Sequence, residues 1–313
     1  MNVALIGSVS SSYHALDALI RGGVEITGVL GLDESCAETV SDFTPLRTLA
    51  RRADLPFLSF VTLDEPPVAQ FLEDHPPDLL WVVGLSQLIS DRLIGTARHG
   101  GVGFHPTMLP RGRGRAPVAW TILLGERAAV TLFHLTSEPD AGDIIVQREI
   151  EVLPDDYSEN LIRRTNEALS AVVLELAPRL RAGNLPRTAQ DPSRATHYRK
   201  RTVEDGLIDW TQPGDSIYRL VRATGRPYPG AFTLNGQQKI IVWRARPAEA
   251  ERLSAEQAST GPGEVLRLDS CRGILVRTGD GGLWLTETES PPEYATGQKT
   301  EALVVGCRLG GSP

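Results

Sequence analysis

The run Leu79–Val83, LLWVV, is five apolar residues with no polar alternation. A strand of that kind is buried on both faces, and such strands belong to parallel sheets covered by helices. The surrounding pattern agrees. Val3–Ile6 reads as a strand ending at Gly7, and Tyr13–Arg21 as a helix with Leu16, Leu19 and Ile20 on one face. Val24–Leu30 is the next strand, Pro45–Arg52 is helical, Pro56–Phe60 is a short strand and Val68–Glu73 is helical. Strand and helix signals alternate past residue 150, which predicts a mainly parallel sheet with helices on both faces.

A long helical pattern from Ser158 to Ala182 ends near Gly183. Asn184–Arg201 is polar and aperiodic and reads as a crossing between domains. Beyond Glu204 the character changes. One helix, Ser216–Thr224, precedes short β-rich segments at Ala231–Leu234, Lys239–Trp243, Glu264–Leu268, Gly273–Arg277 and Leu283–Thr286. Turn residues such as Asn235-Gly236 separate them, as in a small β-barrel or sandwich. Pro247–Pro262 reads as a polar, mobile loop. The expected class is α/β, a Rossmann-like sheet over 1–186, a linker over 187–203 and a small OB-like β domain over 204–313.

Charge narrows the partners. The 313 residues carry 32 Lys and Arg against 39 Asp and Glu, a formal net charge of −7. That argues against broad binding to nucleic acid or an anionic membrane. No run approaches the roughly 18 apolar residues of a membrane span. The start, MNVALIGSVSS, lacks the basic residues of a signal peptide, so a cytoplasmic setting is expected. Cys36, Cys271 and Cys307 are far apart and odd in number, which fits small apolar fillers rather than a zinc cluster or a disulfide framework.

Two segments bear the chemistry. In Gly101–Trp120, GVGFHPTMLPRGRGRAPVAW, His105 follows the apolar strand Val102–Phe104, and Pro106 is read as its end. Ligands of open α/β sheets bind beyond the carboxyl ends of strands, where a histidine can act as base or electrophile. A satisfied structural histidine is the plain alternative. In Val130–Gln147 a strand ends near Leu135, and the loop after it carries Glu138, Asp140 and Asp143. A carboxylate beside an imidazole is an acid–base pairing, and a solvated acidic turn is its plain counterpart. His134, inside the strand, reads as structural. The turn Ser8–Ser12 opens a helix and can bind anions or simply cap it. Arg111–Arg115 alternates arginine with glycine and suits a carboxylate or phosphate, or is a solvated loop.

HPTMLPRGRGRAP, followed 35 residues after His105 by Asp140 in DAGDI, resembles the formyltetrahydrofolate-dependent formyltransferases. That family includes the methionyl-tRNA enzymes and the sugar-amine N-formyltransferases. ALIGSVSSSYHALDALI, WVVGLSQLIS, EDGLIDW, VRATGRPYPGAF, KIIVW and GPGEVL extend the resemblance over nearly the whole chain. It implies N10-formyltetrahydrofolate as formyl donor, with no metal. It also implies catalytic roles for His105 and Asp140. The pterin would sit against Gly84, Ser86, Gln87, Leu88, Ile89, Glu138 and Asp140, and the acceptor against Ser10, Ser11, Arg113 and Arg115.

One position departs from the family signature Asn-x-His. Its asparagine falls on Gly103, which has no amide to meet a developing oxyanion. Losing one such donor costs about 100- to 1000-fold in typical hydrolytic enzymes. Another donor takes over, the chemistry has shifted, or the site is impaired. The hydrolase relatives, with an aliphatic residue there, keep chemistry on formyltetrahydrofolate open.

From Glu204 onward 12 basic residues face 14 acidic ones, a net of −2, so the second domain lacks the cationic footprint of a tRNA binder. The expected acceptor is therefore a small-molecule amine. It could be an amino sugar, nucleotide-linked or not, or an amino-acid-derived intermediate such as hydroxyornithine. Hydrolysis of the donor, methionyl-tRNA formylation and a non-catalytic folate-binding module are the alternatives. The β-rich domain has three open roles: homodimerisation, contact with the acceptor and stabilisation of the chain.

Overall fold

The computed structural model describes residues 1–248, 253–290 and 303–310. The chain divides into two compact units. Met1–Thr121, Arg127–Val152 and Asn160–Lys200 form the first, and Ile122–Glu126, Leu153–Glu159 and Arg201–Pro313 the second.

In chain order the first part contributes β1 (Val3–Gly7), α1 (Ser10–Arg21), β2 (Ile26–Leu32), α2 (Arg47–Arg52), β3 (Phe57–Phe60), α3 (Pro66–Asp74), β4 (Leu79–Val83), α4 (Asp91–Ile94) and β5 (Gly101–Thr107). After them come β6 (Arg113–Gly114), α5 (Pro117–Leu124), β7 (Ala128–His134), β8 (Ile144–Ile150), α6 (Ser158–Arg181) and β9 (His197–Tyr198). Seven strands form one sheet in the order β3-β2-β1-β4-β5-β7-β8. The first five are mutually parallel, β7 runs antiparallel to β5, and β8 antiparallel to β7. Leu79, Leu80, Trp81 and Val83 are fully or almost fully buried, as the unbroken run demands. One core layer joins Ile6, Leu30, Phe60, Val68, Leu72 and Leu80.

The strand order reverses at β1 and β4, the usual ligand crevice of such sheets. Here side chains bond across its base. Ser8 Oγ donates to Gly84 O at 2.8 Å, and Ser12 Oγ donates to Val83 O at 2.6 Å. Ser12 Oγ also accepts from Ser8 N, so α1 starts at Ser10, three residues before the sequence reading.

Two readings need correction. Pro106 does not end its strand, because β5 continues to Thr107. The ladder with β7 shifts register between His105 and Thr107, and a proline fits a sheet where such an irregularity leaves no N–H demanded. The stretch read as a linker over 187–203 is, up to Lys200, built into the first unit. Thr188 and Ile144 exchange main-chain hydrogen bonds of 2.8 and 2.9 Å, and β9 pairs in parallel with β6.

The second unit holds α7 (Gly214–Thr224), β10 (Ala231–Asn235), β11 (Gln238–Pro247), α8 (Ala255–Ser259), β12 (Val265–Asp269), β13 (Gly273–Arg277) and β14 (Gly282–Glu289). Its antiparallel sheet has the order β10-β11-β14-β13-β12. Residues 307–310 bond to both edges. Cys307 O accepts from Val265 N, Leu309 N donates to Gly263 O, and Gly310 N donates to Leu234 O. That contact on both sides closes the sheet around Ile208, Trp210, Val242, Val265, Val276 and Leu283. The loop expected over Pro247–Pro262 contains α8, which a Ser254–Gln257 capping box starts; residues 249–252 of it lie outside those described. Cys36 and Cys307 pack against the cores, whereas Cys271 is exposed and fills nothing.

Candidate active site

His105 stands on β5 beyond the carboxyl end of neighbouring β4, and it is 5% exposed. Its Nε2 lies 2.7 Å from Gly112 O. A carbonyl oxygen only accepts, so Nε2 carries a hydrogen and donates it. The remaining nitrogen, Nδ1, faces Asp140 Oδ1 at 3.6 Å. The ring is thus anchored at one nitrogen and has its exchangeable position beside a carboxylate. A proton taken up at Nδ1 would be held by Asp140.

Asp140 is itself fixed. Its φ is +58°, a conformation that Asp and Asn tolerate better than most residues. Gly114 N donates to its Oδ2 at 2.8 Å. Gln190 Nε2 donates to Asp140 O at 2.8 Å and to Gly142 O at 2.7 Å. Arg113 is 4% exposed, and its guanidinium reaches Glu138 Oε1 and Gln190 Oε1, each at 2.9 Å. Read from sequence as an acceptor ligand, Arg113 is turned inward and braces the loop that bears Asp140. Arg115 on the same loop is exposed.

Gly103 lies on the same face of β5 as His105, two residues away. A Cβ there would stand 2.6 Å from Phe133 Cζ and 2.8 Å from Leu135 Cδ2. The place of the family asparagine is therefore covered by apolar side chains.

The proposed pterin segment follows β4. Gly84 has φ +62°, and a Cβ on it would collide with Val9 and Ser11. Gln87 is anchored by its side chain, which accepts from Leu63 N at 2.9 Å and donates to Val61 O at 2.7 Å. Among the described residues no protein acceptor takes the main-chain N–H of Ser86, Gln87, Leu88 or Ile89. Leu88 is 76% exposed, while Ile89 packs on the core. Free main-chain donors beside an exposed leucine suit the polar edge and the face of a flat heterocycle.

Ser10 and Ser11 do not join His105 in any contact. Ser10 Oγ donates to Asp42 and accepts from Asn166 Nδ2 at 2.8 Å, and Ser10 N donates to Asp42 at 3.3 Å. A carboxylate of the chain already meets the start of α1. Burial raises the Asp42 pKa from its ordinary value, against the Ser10 bonds and the field of His14. His134 donates from Nε2 to Pro186 O at 3.0 Å, leaving Nδ1 buried without a partner, and burial lowers its pKa.

Sequence reasoning missed Gln190, Asp42, Asn166 and Phe133. Gln190 reaches the Asp140 loop, and Asp42 and Asn166 reach Ser10, from distant segments that no local motif marks, whereas Phe133 sits within Val130–Gln147, across the β5–β7 ladder from Gly103. Among the described residues no cluster of His, Cys, Asp or Glu is placed to hold a metal, and no helix is long and apolar enough to cross a membrane.

The family model for the formyl transferase N-terminal region matches residues 1–176, and that for the formyl transferase C-terminal domain matches 200–308. The chain belongs to the formyl transferase family. Solved structures share its fold. HypX from Aquifex aeolicus in complex with tetrahydrofolic acid is 22% identical with a TM-score of 0.67, over 93% of this chain and 44% of HypX. The chain thus spans less than half of that protein. WlaRD, a sugar 3N-formyl transferase solved with dTDP and 5-N-formyl-THF, is 14% identical with a TM-score of 0.66, over 91% of this chain and 97% of its own. The methionyl-tRNA formyltransferase from Clostridium thermocellum is 18% identical with a TM-score of 0.59, over 80% and 95%.

Proposed function

We propose that this formyl transferase moves the formyl group of N10-formyltetrahydrofolate to the amine of a small, anionic acceptor. The pairing of buried His105 with half-buried Asp140 carries the reading. The donor supplies a formyl group already activated on N10. A neutral amine forms the new C–N bond, and the bond to N10 breaks. One proton leaves the amine and one reaches N10, so the protein ends unchanged. His105 Nδ1 is the group placed to take the proton that leaves the amine, since Nε2 is committed to Gly112 O, while Gly103 has no amide for the developing oxyanion and Phe133 and Leu135 cover it. Asp140 holds the proton that passes through Nδ1. Ser86–Ile89 offer their unpaired main-chain donors to the pterin.

Charge supports an anionic acceptor. No acidic residue occurs between Asp91 and Glu126, or between Asp191 and Glu204. The two stretches meet as β6 and β9, where Arg113 pairs with His197 and Gly114 with Tyr198. Arg111, Arg115, Arg194, Arg199 and Lys200 are all exposed around this ribbon, in a chain of net charge −7. Phosphate or carboxylate is the matching chemistry. Nucleotide-linked amino sugars carry it, and the sugar enzyme among the structural neighbours was solved with dTDP.

Purified protein is incubated with N10-formyltetrahydrofolate, with and without pooled amino sugars, nucleotide-linked amino sugars and ornithine derivatives. Acceptor-dependent release of tetrahydrofolate with one formyl group gained by an acceptor supports transfer. Formate released at the same rate without any acceptor replaces it with hydrolysis, the reading that the missing amide at Gly103 favours. Donor binding without turnover of any kind would leave a folate-binding module.

A further inference from the structure

Residues 177–199 lie between the two family-model matches. Within them, one segment bonds to both loops of the candidate site. Toward the Asp140 loop, Pro186 O accepts from His134 Nε2, Thr188 pairs with Ile144, and Gln190 Nε2 holds Asp140 O and Gly142 O. Toward the Gly112 loop, Thr196 Oγ1 accepts from Gly112 N at 2.8 Å, Thr196 O accepts from Arg113 N at 2.9 Å and Tyr198 O accepts from Arg115 N at 3.1 Å. The Tyr198 ring covers Gly112, whose Cβ would stand 2.6 Å from it.

Those two loops are what set the pair. Gly112 O fixes His105 Nε2, and the loop around Asp140 fixes the carboxylate opposite Nδ1. Among the described residues, Gln190 is the one side chain that bonds the Asp140 main chain directly, and it is itself gripped by buried Arg113. A left-handed Asp on an exposed loop has no stiffness of its own, so its aim depends on such bonds.

We infer that Gln190 is a positioning residue: with Arg113, it clamps the 186–198 strap onto the Asp140 loop and so holds the carboxylate against His105. The inference rests on the catalytic reading of Asp140 for its consequence in turnover, but its geometry can be tested without an acceptor.

The reporter is the Gly114 amide, whose acceptor is Asp140 Oδ2; the Arg115 amide, bonded to Tyr198 O, is the control. In Gln190→Met, hydrogen exchange at Gly114 should speed up roughly tenfold or more while Arg115 keeps its rate, as expected of a local opening. Gln190→Glu keeps the length and a partner for Arg113 but loses the donor to both carbonyls. It should behave like Met, and it serves if the Met variant does not fold. In an Asp140→Ala background, Gln190→Met should add no further acceleration at Gly114. Equal acceleration at Gly114 and Arg115, or an unchanged Gly114, overturns the clamp.

With an acceptor from the pool above, Gln190→Met should lower kcat roughly 10- to 100-fold, the scale of a misplacement of about 1 Å, and leave the KM for N10-formyltetrahydrofolate nearly unchanged. It should lower kcat no further in an Asp140→Asn background. A full kcat in Gln190→Met sinks the positioning role. A full kcat in Asp140→Asn sinks instead the catalytic reading of Asp140, while the exchange result still decides whether the clamp exists.

Discussion

Phe133 lies directly across the β5–β7 ladder from Gly103, and its ring fills the volume into which a side chain at position 103 would project. The two residues form a matched pair, an aromatic ring over a bare backbone. Restoring the family asparagine therefore meets an occupied space. Gly103→Asn should lower stability by about 1–3 kcal/mol, the cost of overpacking a filled core. The penalty should shrink when Phe133→Ala makes room, although that change alone costs about 3–5 kcal/mol. Urea denaturation of the four proteins reads the coupling. Strictly additive losses would show that Phe133 does not occupy the position.

Asp140→Asn isolates charge from shape. Asn accepts the left-handed φ of +58°, and its Oδ1 can still take the Gly114 N–H. The melting temperature should stay within a few degrees, while turnover of N10-formyltetrahydrofolate falls about 10²- to 10⁴-fold, the usual share of a positioned acid–base group. Wild-type turnover in this variant removes Asp140 from the chemistry.

Much of this molecule was legible in the residues. Leu79–Val83 reads as a doubly buried strand and is one, and the motif singles out His105 and Asp140, whose side chains lie 3.6 Å apart. What stayed hidden depends on pairing between distant segments. Arg113 reads as an exposed ligand in GRGRG because nothing local shows that Glu138 and Gln190 will bury it. Asn184–Arg201 reads as a linker because its partners, Ile144 and the Gly112 loop, lie more than 40 residues away. The Ser8–Ser12 turn reads as an anion site because Asp42, which meets it, belongs to another loop. Local pattern reports periodicity and motif; it does not report which carboxylate answers which donor.

Arg115 should act on binding rather than chemistry. It is exposed at the end of the basic ribbon, and its loop also carries Gly114, the main-chain donor to Asp140. Arg115→Glu should raise the acceptor KM about tenfold, or roughly 1.4 kcal/mol, with kcat nearly held. In the wild type the same KM should rise with added salt, since exposed charges are screened. A KM indifferent to both changes would show that the acceptor does not use the ribbon.

Asp42 gives a stability signature with a definite sign. Burial raises its folded pKa above the ordinary 3.8. The folded chain therefore holds this proton more tightly than the unfolded chain does. The contribution is fully present below that ordinary value and is lost as pH rises through the raised one. Asp42→Asn cannot titrate, and it keeps an oxygen for Ser10 and the left-handed φ of 65°. Wild type should thus lose stability relative to Asp42→Asn as pH climbs from about 4 toward neutrality. Chemical denaturation of both proteins across that range measures the difference. A constant difference would mean that Asp42 titrates alike in both states.

Gly142 leaves no room for a side chain. A Cβ there would fall well inside contact distance of His134 O. His134 cannot retreat, because its N–H donates to Asp143 O at 2.9 Å and its ring to Pro186 O at 3.0 Å. The loop must move instead, and Gly142 O would leave Gln190 Nε2 and carry Asp140 with it. Gly142→Ala should therefore cut turnover about as deeply as Asp140→Asn while also lowering the melting temperature. Gly125→Ala is the control for the substitution itself. Gly125 has φ +64° and nothing within 4 Å of a built Cβ, so alanine there costs only the left-handed backbone, about 1–2 kcal/mol. It should leave turnover unchanged. Full activity in Gly142→Ala would mean that the Asp140 loop can shift without cost, and the idea that a rigid loop aims the carboxylate at His105 would fail.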